Sequence, residues 1–320
     1  MVKAKLATVL ALLLTVAALV APAVSATPNY RDVYMRDNVG DVGNEPSTGS
    51  IYFSPDIRVC ATPVFCAVSQ NPVVGVDNYV FVTLRRKSVA LGNVQGSLHL
   101  YRSNLGGGTG WPGGWTYIGG VGASVPVSGN TVMITWPGWN VPGPAHFCLL
   151  ARWVSDADPM TSAEGANTQL NAQSNNNIAW RNVDSVRVRP FKPITVPYTI
   201  GNPERTDARQ NLIFEQPRPF AGTVTIDLGR ELAERWKAAG QRGAGVKPVG
   251  ETQVQIVEPK FAHIDGLALK AEERVEIGLT LATDVEAEPA ELHVRQVGAE
   301  GTDLGGAQFL INEKDNNGKD

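Results

Sequence analysis

The sequence is poor in the residue types that most often carry catalysis, with three cysteines and four histidines in 320 residues. No H-E-x-x-H motif, G-x-S-x-G motif or phosphate-binding glycine loop occurs, and the histidines have no metal-ligand spacing. Zinc and nucleophile-triad chemistry are therefore poorly supported, and no catalytic residue is predicted. A hydrolase with an unrecognised pair of carboxylates remains an alternative, because such a pair needs only proximity in space.

Long apolar runs are absent after the first 26 residues. Lys3 and Lys5 precede the run from Leu6 to Val20, and Val24-Ser25-Ala26 supplies the small residues that a signal peptidase needs. This pattern predicts a secretory signal peptide over 1–26 and a secreted, extracellular protein without a membrane span. Losing the two lysines changes the formal net charge from −3 to −5, so no nucleic-acid partner is expected.

The three cysteines leave at least one thiol unpaired. Cys60 and Cys66 flank the segment A-T-P-V-F and are predicted to form a disulfide that an oxidising compartment would maintain. Cys148 lies in an apolar strand and is interpreted as an inert buried thiol. A bridge from Cys148 to one of the other two is the alternative.

Short strands separated by glycine- and proline-rich segments predict an all-β fold with two consecutive immunoglobulin-like sandwiches. After an irregular arm at 27–50, the first sandwich is expected over 51–188. Its predicted strands are Ile51–Cys60, Asn78–Leu84, the segments around Leu98 and Val132, Ala145–Val154 and Val183–Arg189. The continuously apolar strand Ala145–Val154 is expected in the middle of a sheet. A long polar connection, Ser155–Asn177, separates it from Val183–Arg189, predicted to close this sandwich.

The composition changes around Arg189-Pro190-Phe191-Lys192-Pro193, where the second sandwich is expected to begin. It is assigned to 189–311, with alternating apolar strands and one short helix near 229–239. Leu228, Leu232 and Trp236 recur at helical spacing, and Gly240 stands where a left-handed C-cap would. The polar residues 312–320 are predicted to be a disordered tail.

Four segments of the first predicted sandwich resemble immunoglobulin-like modules of bacterial secreted and surface proteins related to the cell-adhesion-related domain. They are S-P-D-I-R-V at Ser54–Val59, the strand Asn78–Leu84, F-C-L-L-A-R at Phe147–Arg152 and N-N-N-I-A-W-R-N at Asn175–Asn182. The corner Arg85-Arg86-Lys87-Ser88 departs from the asparagine and glycine usual there. The resemblance implies a binding or structural role.

Two pairs of tryptophans stand in glycine- and proline-rich turns, in W-P-G-G-W and W-P-G-W. Trp111, Trp115 and Trp139 are the candidate ligand-binding residues, because rigid, partly exposed indoles stack on sugars or clamp peptides at little entropic cost. Trp136 continues the inward alternation of its strand. The alternative is that all of these indoles cap the open ends of the sandwich.

Acidic residues occur in the long connection and in the arm. Asp156, Asp158 and Glu164 are candidate ligands of a structural calcium ion, since calcium prefers several oxygen ligands. Neither segment has the EF-hand spacing, and solvated loops are the alternative. No other cofactor is expected. Asn175, Asn176 and Asn177 are predicted to bind nearby backbone, and Asn182 to do the same inside the next strand.

These features indicate a non-catalytic binding, adhesion or assembly module whose partner is a protein or glycan at a cell surface or in the extracellular matrix. Protein or surface recognition is the first hypothesis, with the tryptophan turns and the connection Ser155–Asn177 at the contact end. The alternative is an accessory protein that binds carbohydrate through its exposed tryptophans. The sequence leaves the oligomeric state open.

Overall fold

The computed structural model describes residues 32–87, 92–104, 106–141 and 147–312, which form the all-β protein that the sequence predicts. The predicted signal peptide, residues 27–31 of the arm and residues 313–320 of the predicted tail lie outside the described residues. Within the described part of the chain, no helix has the length and hydrophobicity needed to cross a membrane.

In the described part of the chain, eight strands form the first sandwich. In chain order they are β1 (Val33–Tyr34), β2 (Ile57–Cys60), β3 (Asn78–Arg86), β4 (Val94–Asn104), β5 (Thr116–Val125), β6 (Asn130–Trp136), β7 (Phe147–Val154) and β8 (Ile178–Arg181). Sheet I contains β1, β2 and β6, all paired antiparallel with β3. Sheet II has the order β5-β4-β7-β8 and is also antiparallel. The apolar strand β7 therefore lies inside its sheet, as expected.

Period-two alternation explains how sheets I and II pack. Val80, Val82 and Leu84 of β3 point inward, while Tyr79, just before them, and Thr83, between Val82 and Leu84, point outward. They share one apolar core with Leu98, Leu100, Trp136, Trp153 and Ala179, all buried. Sheet II is thus apolar on this inner face, and its other face is available for different contacts.

Among the described residues, eleven strands and one helix form the second sandwich. The strands are β9 (Val183–Val186), β10 (Ile194–Gly201), β11 (Ala208–Arg218), β12 (Thr223–Asp227), β13 (Gly243–Ala244), β14 (Val246–Pro248), β15 (Gln253–Ile256), β16 (Ala262–Leu269), β17 (Arg274–Ala282), β18 (Ala290–Gly298) and β19 (Asp303–Ile311). Sheet III has the order β10-β17-β12-β15-β14, and sheet IV has the order β13-β16-β11-β18-β19-β9.

The predicted helix is present at Gly229–Ala238. Its apolar face, including Leu232 and Trp236, is buried in the second sandwich, and the indole nitrogen of Trp236 donates to the Arg242 carbonyl at 2.9 Å. Gly240 has a φ of 92°, the left-handed conformation expected just after a helix. This confirms the interpretation of the Leu228, Leu232 and Trp236 spacing.

The prediction that the strand after Asn182 closes the first sandwich is wrong. The strand β9 pairs in parallel with β19 of sheet IV, with Phe309 opposite Asp184. At the crossover, the buried side-chain amide of Asn182 donates to the Gly106 and Gly306 carbonyls. Alternation in Val186, Arg187, Val188 and Arg189 indicates that one face is buried, but it cannot specify which sheet buries it.

The two sandwiches share one apolar core. Tyr52, Trp115, Cys148, Leu150 and Trp180 pack in the same buried cluster as residues of sheets III and IV, among them Leu212, Phe214, Leu292 and Phe309. The backbones approach closely there, since a Cβ at Gly106 would lie 1.8 Å from the Thr199 carbonyl oxygen. The second sandwich thereby covers part of the outer face of sheet II.

Two segments expected to be irregular have local structure. The connection Ser155–Asn177 contains the helix α1 (Thr168–Gln173), whose N-cap Asn167 accepts from the Leu170 amide at 3.2 Å. The arm carries β1, and Val33 and Met35 are buried in the first core. The predicted strand Ile51–Cys60 is shorter, because Ile51 and Tyr52 enter the shared core before β2 begins. The helix α1 and the strand β1 are both too short for their apolar residues to show a helical or strand periodicity.

Candidate functional site

A loop at residues 61–77, termed the disulfide loop, joins β2 to β3 at one end of the first sandwich. The predicted disulfide between Cys60 and Cys66 closes its first part, with the two Cα atoms 5.7 Å apart. Cys148 is a free buried thiol, and burial raises its pKa to about 12, so it is unreactive as expected.

Side-chain hydrogen bonds fix the rest of the disulfide loop. The amide group of Asn78 is buried, accepts from the Val73 amide and donates to the Val73 and Val76 carbonyls at 2.8–3.0 Å. The guanidinium of Arg58 donates to the Cys66 carbonyl at 2.8 Å and stacks on Phe65. The Asn71 amide donates to Asp184 at 2.8 Å. The loop is therefore held at both ends and in its middle.

Trp139 belongs to a 3-10 turn at Gly138–Asn140 that packs on this loop. The Gly138 amide donates to Asp77 at 2.9 Å, and a Cβ at Gly138 would lie 2.7 Å from the backbone of Gly75 and Val76. The close approach requires glycine at 138. It also places the indole of Trp139, which is 85% exposed, at the end of the disulfide loop.

The disulfide loop and this turn form the apolar loop surface. It carries seven of the 20 exposed large apolar side chains in the described part of the chain, namely Val64, Phe65, Val68, Val73, Val74, Val76 and Trp139. Phe65 also makes an edge-to-face contact with Phe81 of sheet I. Apolar residues concentrated on a fixed surface are typical of a protein interaction site. In the sequence, the signal is an aperiodic group of valines beside a cysteine pair.

A second surface is the uncovered part of the outer face of sheet II. Tyr101 lies in edge-to-face contact with Trp111 and Tyr117, at centroid distances of 5.1 and 5.3 Å. His99 lies 6.0 Å from Tyr117, and the guanidinium carbon of Arg152 lies 6.0 Å from the Trp111 ring centroid. These five residues form the aromatic face. Burial, then the charge of Arg152, lowers the pKa of His99, so the imidazole stays neutral at neutral pH.

An open cleft of about 670 Å³ adjoins the aromatic face. It is lined by the end of β7 and the first part of the connection, including Arg152, Met160 and Glu164. The guanidinium of Arg152 donates to both carboxylate oxygens of Glu164 at 2.5–3.1 Å. The cleft and the aromatic face together offer aromatic rings, a fixed ion pair and polar edges.

The three candidate tryptophans lie in different environments. Trp139 is exposed at the apolar loop surface, and Trp111 is half-buried in the aromatic face. Trp115 is only 8% exposed; its indole nitrogen donates to Thr168 at 2.9 Å, and its ring contacts Trp180. Trp115 is therefore a core residue that fixes the loop carrying Trp111, and the sequence could not separate these roles because both indoles flank the same Pro-Gly-Gly turn.

The candidate calcium ligands Asp156, Asp158 and Glu164 all line the cleft. Asp156 is exposed, Glu164 is paired with Arg152, and Asp158 is buried and accepts from the Val33 amide at 3.0 Å and the Asn177 amide group at 2.8 Å. Among the residues that the structure describes, no three His, Cys, Asp or Glu side chains are grouped as a metal site. The structure therefore does not assemble these three carboxylates around one ion.

Acidic residues of the arm attach it to the connection. Glu45 accepts from the Asn176 amide at 2.7 Å and from the Thr161 hydroxyl at 2.5 Å, while the Asn176 side chain donates to Asp32 at 2.8 Å. The Asn175 side chain donates to the Asn171 carbonyl at 3.0 Å. The prediction that these asparagines bind nearby backbone is confirmed for Asn175, whereas the side chains of Asn176 and Asn177 donate to the Gly43 and Val33 carbonyls of the arm.

Replacing Asp158 by asparagine is expected to reduce the pH dependence of stability. Burial raises the pKa of Asp158 from 3.8 to about 6, so the folded state binds this proton more tightly than the unfolded state does. The resulting stabilisation, at most about 3 kcal/mol, is fully present below about pH 4 and lost as the pH rises through about 6. Urea unfolding at about pH 4.5 and about pH 7 should show a smaller difference for Asp158→Asn than for the wild type. Equal differences would contradict this assignment.

No protein-family model matches the chain, and no curated protein matches it. Among solved structures, it is similar to red sea bream transglutaminase, with 13% identity over 81% of this chain and 31% of that chain and a TM-score of 0.21. It is also similar to the CupB6 tip adhesin from Pseudomonas aeruginosa, with 7% identity over 81% of this chain and 99% of that chain and a TM-score of 0.20. The chain spans 31% of the length of the transglutaminase. Similarities of this size carry no argument about family or function.

Proposed function

We propose that this protein is a secreted, non-catalytic module that recognises a protein at a cell surface or in the extracellular matrix through the apolar loop surface. The observation that carries the proposal is the concentration of exposed apolar side chains on one fixed loop, with Trp139 at its end. The predicted signal peptide supports an extracellular location, and the resemblance to cell-adhesion-related modules implies the same kind of role.

Rigidity makes this surface suited to binding. The disulfide and the Asn78 amide hold the loop before any partner arrives, so little conformational entropy is lost on association. Exposed valines, a phenylalanine and a tryptophan supply apolar area, and the charged groups beside them, Arg58 and Asp77, are already hydrogen-bonded within the protein.

Retention on native surfaces tests this function. Purified protein from residue 27 onward is incubated with cell envelopes and with extracellular polymers, each with and without prior protease treatment and with and without a calcium chelator. We expect saturable retention that protease treatment of the envelopes abolishes. Retention only on protease-resistant polymer would favour the second candidate below, and absence of retention on every surface would contradict a surface-binding role. Loss of retention with the chelator would reveal a calcium requirement.

A second candidate function is glycan binding at the aromatic face. The observation that favours it is the group of Tyr101, Trp111 and Tyr117 beside the Arg152–Glu164 ion pair, since clustered aromatic rings with adjacent polar groups suit the apolar and hydroxyl faces of a sugar. The adjoining cleft of about 670 Å³ has room for a small saccharide.

Tyr117→Ala is expected to weaken any glycan binding about tenfold, because the Tyr117 ring is 48% exposed and would stack directly on a sugar. Quenching of intrinsic fluorescence by soluble polysaccharide fragments measures the affinity, since Trp111 lies in the same face. Trp139→Ala, outside the aromatic face, serves as the control and should bind as the wild type does. If fragments cause no quenching in correctly folded wild-type protein, glycan binding at this face is wrong.

A further inference from the structure

The strand β5 forms an open edge of sheet II. It is ten residues long, and β4 is its only partner among the strands that the structure describes. Its sequence, T-Y-I-G-G-V-G-A-S-V, contains no charged residue and no proline. Soluble proteins usually block such edges with charges, prolines or covering loops, so an unblocked edge of this length is a site for strand pairing.

The hydrogen-bond pattern identifies which backbone groups face outward. The Gln95 carbonyl accepts from the Ser155 hydroxyl at 2.6 Å, beyond β7, and so points away from β5. Its partner Ser124 therefore directs its own backbone groups away from β4, and the Ser124 carbonyl accepts from the Asn130 side chain at 3.1 Å. Along an edge strand, the residues whose backbone N–H and C=O groups point toward the neighbouring strand alternate with those whose groups point away from it. The backbone groups of Gly122 and Gly120 therefore also point away from β4.

The side-chain amides of Asn130 and Asn140 cover the two ends of this edge. Asn140 donates to the Tyr117 carbonyl at 3.3 Å, and Asn130 donates to Ser124. Between them, the outward N–H and C=O groups of Gly120 and Gly122 have no hydrogen-bond partner in the described part of the chain. A Cβ at Gly122 would meet only the Gly96 carbonyl oxygen at 4.0 Å, so a side chain at this position would extend into open space above the face of the sheet.

We propose that a second copy of this chain occupies the edge, with the two β5 strands antiparallel about Val121. In this register Gly120 of each copy lies opposite Gly122 of the other, and each of the two pairs forms two N–H to C=O bonds. The two Val121 residues then face each other as a non-hydrogen-bonded pair. The four exposed groups of each copy are satisfied at once, without a shift of either strand.

Symmetry and charge make a second copy the fitting occupant. A two-fold axis through Val121 matches each backbone donor of one strand with an acceptor of the other, and glycine at positions 120 and 122 adds no side chain beside the pair. The uncharged strand brings no like charges together. Tyr117, Val121 and Val127, each at least 37% exposed, lie on β5 and on the turn that follows it and supply apolar contacts beside the paired strands.

The pairing would join two copies of sheet II into one continuous eight-stranded sheet. Since the two-fold axis is perpendicular to the sheet, both aromatic faces would lie on the same side. A dimer with two copies of each binding surface would bind a dense extracellular surface more tightly than a monomer through avidity.

Sedimentation equilibrium of the protein from residue 27 onward tests the proposal with a matched pair of variants. Gly122→Pro removes one outward N–H, whereas Gly122→Ala keeps it and adds only a methyl group in open space. We expect a concentration-dependent dimer for the wild type and for Gly122→Ala, and at least tenfold weaker dimerisation for Gly122→Pro. Circular dichroism verifies that each variant is folded.

Two single-cysteine variants test the register of the strand pairing independently of effects on folding. Val121→Cys should form an intermolecular disulfide under mild oxidation, because Cα atoms in a non-hydrogen-bonded pair are about 4.5 Å apart. Val127→Cys, similarly exposed on the following turn, should not. A monomeric wild type at high protein concentration would overturn the proposal and leave the edge for a different strand. Equal dimerisation of Gly122→Pro and Gly122→Ala, or equal cross-linking of both cysteine variants, would also overturn it.

Discussion

Trp180→Ala is expected to lower the free energy of unfolding by about 3–5 kcal/mol, and to do so in both sandwiches at once. Trp180 is completely buried on β8, and its ring makes edge-to-face contacts with Tyr52 and Trp115. A Cβ at Gly305 of β19 would lie 2.6 Å from the ring, so the indole also fills space against the second sandwich. Its removal leaves a cavity between the two.

Denaturant unfolding followed by circular dichroism and by hydrogen exchange of peptides from each sandwich measures this effect. Because the core is shared, we expect one cooperative unfolding transition. In Trp180→Ala its midpoint should move to a lower denaturant concentration for peptides of both sandwiches. Trp139→Ala is the control; because Trp139 is exposed, its loss should change stability by less than about 0.5 kcal/mol. Two separate transitions, with only the first sandwich weakened, would show that the sandwiches fold independently.

The second large effect is expected in binding. Trp139→Ala should weaken retention on the native surface about thirtyfold, because exposed tryptophans on a rigid site are typical hot spots that contribute about 2 kcal/mol or more. The comparison variant is Phe191→Ala, since Phe191 is similarly exposed but lies in the turn between β9 and β10 of the second sandwich. Dissociation constants from titrated retention would show the difference. A similar loss in both variants would indicate non-specific apolar adsorption.

Local patterns explain why the fold class, the disulfide and the helix were predictable. Alternation in β3 and helical spacing in Leu228, Leu232 and Trp236 depend on neighbours in sequence, and a cysteine pair six residues apart closes a loop without any tertiary information. The same reasoning could not assign β9 to sheet IV. Its partner β19 lies more than a hundred residues away, and a parallel pair leaves no hairpin signal.

The candidate site was predictable only in part. Trp139 was identified from its turn, but the exposed valines of the disulfide loop have no periodicity, and their exposure depends on the Asn78 amide network. Trp115 was expected to bind ligand and is buried instead, because the connection folds back with Thr168 beneath it. The acidic residues indicated calcium, yet Asp158 accepts from the Val33 amide, which is distant in the sequence, and Glu164 pairs with Arg152, which no sequence motif marks as its partner.

Site-specific photo-crosslinking on the native surface tests the central claim most directly. A photoreactive phenylalanine analogue is placed at residue 74 in the apolar loop surface, at residue 117 in the aromatic face, or at residue 285 in the second sandwich, all exposed positions. We predict a covalent adduct with a protein of the native surface from residue 74 and none from residues 117 and 285. Adducts between two copies of this chain, which pairing of the β5 strands would give at residue 117, are recognised by their mass and are not scored. Adducts from residue 117 with none from residue 74 would contradict the assignment of recognition to the apolar loop surface.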